Sequence, residues 1–265
     1  VKRSLLCLLF TLQQAAAAAP PREITLTTLE WPPYTGSQLP GQGLNSEVIR
    51  TAFQAMGYRV TFRIVPWQRA VSEARFNPKV AGYFPEYDSA EGRKAFIFSD
   101  PIGSSPLGFA ERMDERIRWQ ALSELSRRRI GVVQGYVNTA ELDQRIADKR
   151  QNVDEAPDDT QNLLKLDRRH IDLAVIDSNV FNYLMQNEPR LKSTRGRLMM
   201  NPHLLDEKKL FVCFKPSAEG KQLADVLNQG LKKINLKLVI LRYLQGLDHP
   251  EPPVQSAANI KKPVG

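Results

Sequence analysis

The sequence predicts an α/β protein of two lobes, each a mainly parallel sheet flanked by helices. Strand-like and helix-like segments alternate along the chain, and the alternation runs twice, once on each side of residues 100–106. The chain has 265 residues, 42% hydrophobic and 25% charged, with 15 Gly and 18 Pro. That composition is globular, and the length suffices for a large core in one domain or two. It excludes a disordered chain, a collagen and a coiled coil. The only apolar run long enough to suggest a span is N-terminal and too short to cross a membrane, which excludes a polytopic membrane protein.

Each element has a local reason. Glu23 to Leu29 alternates and is rich in Thr and Ile, so it reads as a strand, ended by Trp31-Pro32-Pro33-Tyr34-Thr35-Gly36. Leu44, Val48, Ala52, Phe53 and Met56 follow helical spacing, and Gly57 stops that helix. Tyr58 to Val65 is a second strand. Pro66 opens a helix whose apolar stripe is Trp67, Ala70, Val71 and Ala74. Val80 to Phe84 and Ala95 to Ser99 are short strands, and Pro101, Gly103 and Pro106 interrupt the pattern. In the second block, Arg129 to Val137 is a strand and Thr139 to Lys149 a helix, with Asn138 and Glu141 spaced as a capping box. Thr160 to Arg169 is a helix, Ile171 to Ile176 an apolar strand ending at Asp177, and Ser178 to Gln186 a helix. Residues 187–207 read as irregular and basic. Lys209 to Phe214 is a strand, and Ala218 to Gln245 carries one or two amphipathic helices.

The N-terminus reads as a secretory signal peptide over residues 1–19: Lys2 and Arg3, an apolar stretch from Ser4 to Leu12, and small residues from Ala15 to Ala19. The tail 249–265 lacks periodicity and is expected to be disordered. Between them the first lobe is expected at 20–104 plus 209–248, and the second at 105–208. Of two cysteines, Cys7 leaves with the signal peptide. Cys213, in Leu210-Phe211-Val212-Cys213-Phe214, then has no partner and reads as a buried strand residue. The formal charge is +8, but the bases are dispersed among 29 acids and lack aromatic interleaving, so nucleic acid is not an expected partner.

Catalytic signatures are missing. The only Gly-x-Gly, Gly41-Gln42-Gly43, has no Lys-Ser/Thr after it, and no Gly-x-Ser-x-Gly occurs. His170, His203 and His249 lack metal spacing, so neither a metal nor a cofactor is expected. Glu86, Asp88 and Glu91 read as a solvated loop. The remaining constellation suits binding. Ligands of such sheets lie beyond the carboxyl ends of strands, which singles out Trp31, Trp67, Tyr83, Phe84, Gly135 to Asn138 and Asp177. Trp31 and Trp67 are placed to flank a ligand. Arg93 can hold a carboxylate by two parallel hydrogen bonds. Asp177 can pair with an ammonium, and Asn138 opens a helix whose free N–H groups favour an anion.

These segments carry a resemblance. Ile24 to Tyr34 with Gly43 to Val48, Pro66-Trp67-Gln68-Arg69-Ala70, Arg93 before Phe98-Ser99-Asp100-Pro101, Arg129 to Gly135, and Ile171 to Asp177 occur in the order and spacing of a known family. The chain resembles the extracellular solute-binding proteins of polar amino-acid ABC importers, of type II periplasmic-binding-protein fold, over about residues 23–247. The resemblance implies that Arg93 binds an α-carboxylate, Asp177 an α-ammonium, and Trp31 and Trp67 the ligand side chain. It also implies hinge closure, a periplasmic monomer, no catalysis, and importer membrane subunits or a membrane sensor as partners.

Two departures stand out. Tyr83-Phe84-Pro85-Glu86-Tyr87-Asp88 replaces the family's small hydroxyl residues, and Tyr136 and Val137 stand where Thr or Ser is usual. A more aromatic, less hydroxylated pocket follows, with carboxylates, aromatic compounds and cations all open as ligands. The alternatives are a dehydratase on the same fold, with Arg93 and Glu30 or Glu86, and a sensing adaptor without an importer.

Overall fold

The computed structural model describes residues 22–248. The signal-peptide segment with Cys7 and the tail from residue 249 lie outside the described residues. The first part of the chain forms β1 (Arg22–Thr28), α1 (Leu44–Gln54), β2 (Tyr58–Ile64), α2 (Trp67–Phe76), β3 (Gly82–Tyr87), α3 (Ala90–Ala95) and β4 (Ile97–Phe98). A long β5 (Gly103–Arg112) leads to β6 (Arg129–Val133), α4 (Ala140–Ala147), β7 (Asn152–Ala156), α5 (Asp159–Asp167), β8 (Leu173–Asp177), α6 (Ser178–Asn187) and β9 (Leu198–Met200). A second long strand, β10 (Asp206–Phe214), returns to α7 (Ala218–Lys233) and α8 (Leu236–Asp248).

Strand pairing divides the molecule into two lobes. In one, β1 runs parallel to β2 and β3, and β3 pairs antiparallel with the end of β10. In the other, β6 runs parallel to β7 and β8, and β8 pairs antiparallel with β5. Between them β5 and β10 form a two-stranded antiparallel ribbon, Gly103–Leu107 against Asp206–Leu210. Beyond the ribbon, β5 pairs with β8 and β9 and β10 pairs with β3 and β4, so β5 and β10 are the two crossings between lobes.

Capping explains most helix starts. Asp158, Asp177 and Ser217 accept from the backbone N–H of Gln161, Val180 and Gly220. Asn138 does not cap α4: Thr139 does, accepting from the Leu142 N–H, while the Asn138 amide donates to Asp143 at 2.7 Å. Gly43, at φ 106°, lets the chain turn into α1 against the Trp31–Thr35 turn. A Cβ there would stand 2.4 Å from the Tyr34 carbonyl oxygen.

Three other expectations need correction. Residues 103–112 form a strand despite Pro106, because β8 joins β5 only from Leu107 onward; at Pro106 the strand has one neighbour, where a missing N–H is tolerated. β3 continues to Tyr87, and its register against β10 shifts between Phe211 and Cys213, opposite the stretch holding Pro85. Glu86 therefore lies on a fully buried strand rather than in a solvated loop. The span 187–207 is less irregular than expected, containing a 3₁₀ turn at Pro189–Thr194 and β9. Cys213 is a free thiol on β10, fully buried as the sequence predicts.

Candidate functional site

Aromatic side chains from both lobes meet in the cleft. Trp31, at the turn after β1, stacks on Tyr34 with ring centroids 4.7 Å apart and meets the edge of Tyr87 at 6.2 Å. Trp67, at the start of α2, crosses to the other lobe: its indole N–H donates to the Gly135 carbonyl at 2.9 Å and its ring meets Tyr136 edge-on at 5.7 Å. Trp31, Trp67, Tyr87 and Tyr136, with Leu29, Pro85, Glu86 and Val137, line a cavity of about 30 Å³, room for about two waters. A larger space of about 500 Å³ opens on the far side of Trp31 and Tyr136, walled by the 30–39 loop, the start of α5 and the end of α6. That is the size of a small-molecule site.

Hydrogen bonds tie the lobes together behind the aromatic wall. Asp177 Oδ2 accepts from the Tyr34 hydroxyl at 3.0 Å and from Ser105 Oγ at 2.5 Å, and Ser105 Oγ is also 2.5 Å from the Tyr87 hydroxyl. Asn179 donates to the Tyr34 hydroxyl at 2.8 Å. Asp177 Oδ1 accepts from the Val180 N–H, so both carboxylate oxygens have protein partners.

The electrostatics are one-sided. Burial pushes the Glu86 carboxyl up to about 7, against hydrogen bonds from the Tyr83 hydroxyl and the Tyr87 N–H and the pull of Lys208. Asp159 is pushed up to about 8, first by burial and then by repulsion from Asp177 and Asp158, with only the Trp31 indole pulling it down. Asp177 is raised by burial despite its donors. Burial holds such carboxyls towards their neutral form, and a positive charge beside one would favour its ionisation.

Several solved structures share this architecture. A histidine kinase sensor domain with similarity to periplasmic binding proteins superposes with a TM-score of 0.72 at 18% identity, covering 85% of this chain and 97% of that one. The GluR0 ligand-binding core from Nostoc punctiforme, in complex with L-glutamate, gives 0.67 at 18% identity, covering 84% and 97%. An arginine transport-system periplasmic binding protein from Legionella pneumophila gives 0.66 at 19% identity, covering 84% and 98%. The chain has the two-lobed periplasmic-binding-protein fold. No protein-family model and no curated protein matches its sequence.

Within this binding-protein fold the seven predicted site residues are scattered. Trp31 and Trp67 line the cleft. Asp177 lies at the junction of the lobes, but its oxygens are occupied from within the protein. Tyr83 and Phe84 do not face the cleft. Tyr83 packs edge-on against Phe96 at 4.9 Å in a small core with Cys213, and Phe84 packs on Phe62 at 5.0 Å. Asn138 is held by Asp143. Arg93 sits on α3 outside the cleft. Its side chain is 51% exposed, forms a two-pronged pair with Asp88 at 2.5 and 2.9 Å, and lies over Phe98. That pair holds Asp88 below the usual carboxylate range. The carboxylate-clamp assignment of Arg93 is therefore corrected: its charge is already matched at the surface.

The structure adds Tyr34, Glu86, Tyr87 and Asp159 to the site, and brings Tyr136 to its centre. Asp159 escaped the strand-end rule because β7, which precedes it, is a polar edge strand (Asn-Val-Asp-Glu-Ala) with no hydrophobic period. The Asp158 and Gln161 spacing, three residues apart before an apolar pattern, is the signal that marks that helix start.

Proposed function

We propose that the chain is a periplasmic solute-binding protein that captures a small polar ligand between its lobes and undergoes no chemistry with it. The lobes divide as 22–104 with 209–248 and as 105–208, and the β5–β10 ribbon is the hinge. Ligand closes the lobes, and the closed form is presented to importer membrane subunits or a membrane sensor. One observation carries the reading: an aromatic and acidic cleft that draws its walls from both lobes, beside the two strands that join them. The dehydratase alternative finds no such support, because its candidate groups do not converge. Glu86 and Glu30 line the two spaces of the cleft, but Arg93, the group that would clamp the anion, is paired with Asp88 outside it.

The test is ligand-dependent fluorescence of the refolded, ligand-free protein against amino acids, amines and carboxylates. Trp31 and Trp67 line the cleft, so closure should shift the indole emission. The compound should come back unaltered. An emission indifferent to the whole panel, or conversion of the bound compound, would sink the proposal.

A further inference from the structure

Asp159 differs from the other acids of the larger space. Glu30 accepts from the Ser37 N–H, and Glu188 is taken by Arg190 through two hydrogen bonds at 2.9 and 3.2 Å. Asp158 caps α5 through one oxygen, accepting from the Gln161 N–H, and is half-buried, so water can serve the other. Asp159 is 7% exposed and lines the cavity. The Trp31 indole is the one group that pulls its titration down, and no hydrogen bond to either carboxylate oxygen is formed among the described residues. The charges around it from its own and opposing elements are Asp158 and Asp177, both negative. Arg190, the one cation among the described residues lining this space, is paired with Glu188. Lys208 lies over the Tyr87 ring, towards Glu86.

We propose that the cleft takes an organic cation, a primary ammonium or a guanidinium, whose charged head docks on Asp159 between the Trp31 and Tyr136 rings. The inference rests on the solute-binding reading and specifies its ligand class. The cavity offers an unmatched carboxylate for a charged N–H, and the Trp31 and Tyr136 rings that line the same space can attract a cation. Among the described residues its one lining base, Arg190, is already paired with Glu188. No group of three His, Cys, Asp or Glu among the described residues is placed to hold a metal ion, so the counter-charge comes on an organic ligand.

The experiment is calorimetric titration of the ligand-free protein with agmatine and putrescine, which carry no carboxylate, and with L-glutamate as the anionic probe. Asp159→Asn and Asp159→Glu are run beside wild type, with folding checked by circular dichroism. Agmatine or putrescine should bind wild type, lose roughly 30-fold or more in Asp159→Asn, and stay within about 10-fold in Asp159→Glu. Because Asp159→Glu keeps the charge, loss in both variants would overturn the assignment to Asp159, as would undiminished binding to Asp159→Asn. Binding of L-glutamate with both amines inert would overturn the cation class and leave solute binding standing. Inertness of all three probes would overturn the cation class, and the wider fluorescence panel then decides solute binding separately.

Discussion

A carboxylate kept buried for a ligand should weaken the ligand-free protein, and Asp159 allows the cost to be measured. Its folded-state titration point is about 8, against 3.8 for an ordinary aspartate. The native state therefore holds a proton that the unfolded chain has released over that window. Stability falls with pH wherever the native state binds more protons. The contribution of Asp159 is thus fully present below about pH 4 and is lost progressively as pH rises to about 8; Glu86, raised from 4.5 to about 7, acts in the same direction. At about 1.4 kcal/mol per unit, the Asp159 loss amounts to about 5 kcal/mol by pH 8. Asparagine removes that loss. It leaves an amide short of an acceptor, costing about 1 kcal/mol. Asp159→Asn should then gain about 3–5 kcal/mol at pH 8, a rise in Tm of roughly 6–20 °C, and lie within about 1 kcal/mol of wild type at pH 5. Thermal unfolding by circular dichroism, followed from pH 5 to 9 without ligand, reads both. A variant no more stable than wild type at pH 8, or a gain independent of pH, would refute the reasoning.

Two further outcomes are expected. Tyr34→Phe removes a donor to Asp177 and the acceptor of Asn179, so it should cost about 1–3 kcal/mol in urea unfolding, whereas Tyr58→Phe, whose hydroxyl meets only an exposed Arg22 at 3.4 Å, should change the midpoint little. Arg93→Ala removes a half-exposed ion pair and should cost no more than about 1 kcal/mol; its affinity for the bound solute should match wild type, and a loss of tenfold or more would return Arg93 to the site.

The sequence by itself determined the alternation of strands and helices, and through it the two-lobed class. Those signals are local: apolar period, Pro66 at a helix start, and Asp177 ending a fully buried strand. Strands whose neighbours or position replace an internal period were not legible. β5 carries Pro106 and is a strand because β10 pairs with it; β7 is polar because it lies at the sheet edge. The candidate site was legible in Trp31 and Trp67, large aromatics at strand-to-helix turns, and in the stretch Gly135 to Asn138 that carries Tyr136.

Only tertiary structure decided what each polar group is bonded to. Arg93 is spent on Asp88, Asn138 on Asp143 and Asp177 on Tyr34 and Ser105, while Asp159 is left with an open oxygen. A side chain's charge is written in the sequence. Whether that charge is already matched depends on groups distant along the chain, such as Tyr34 and Asp177, brought together when the two lobes meet.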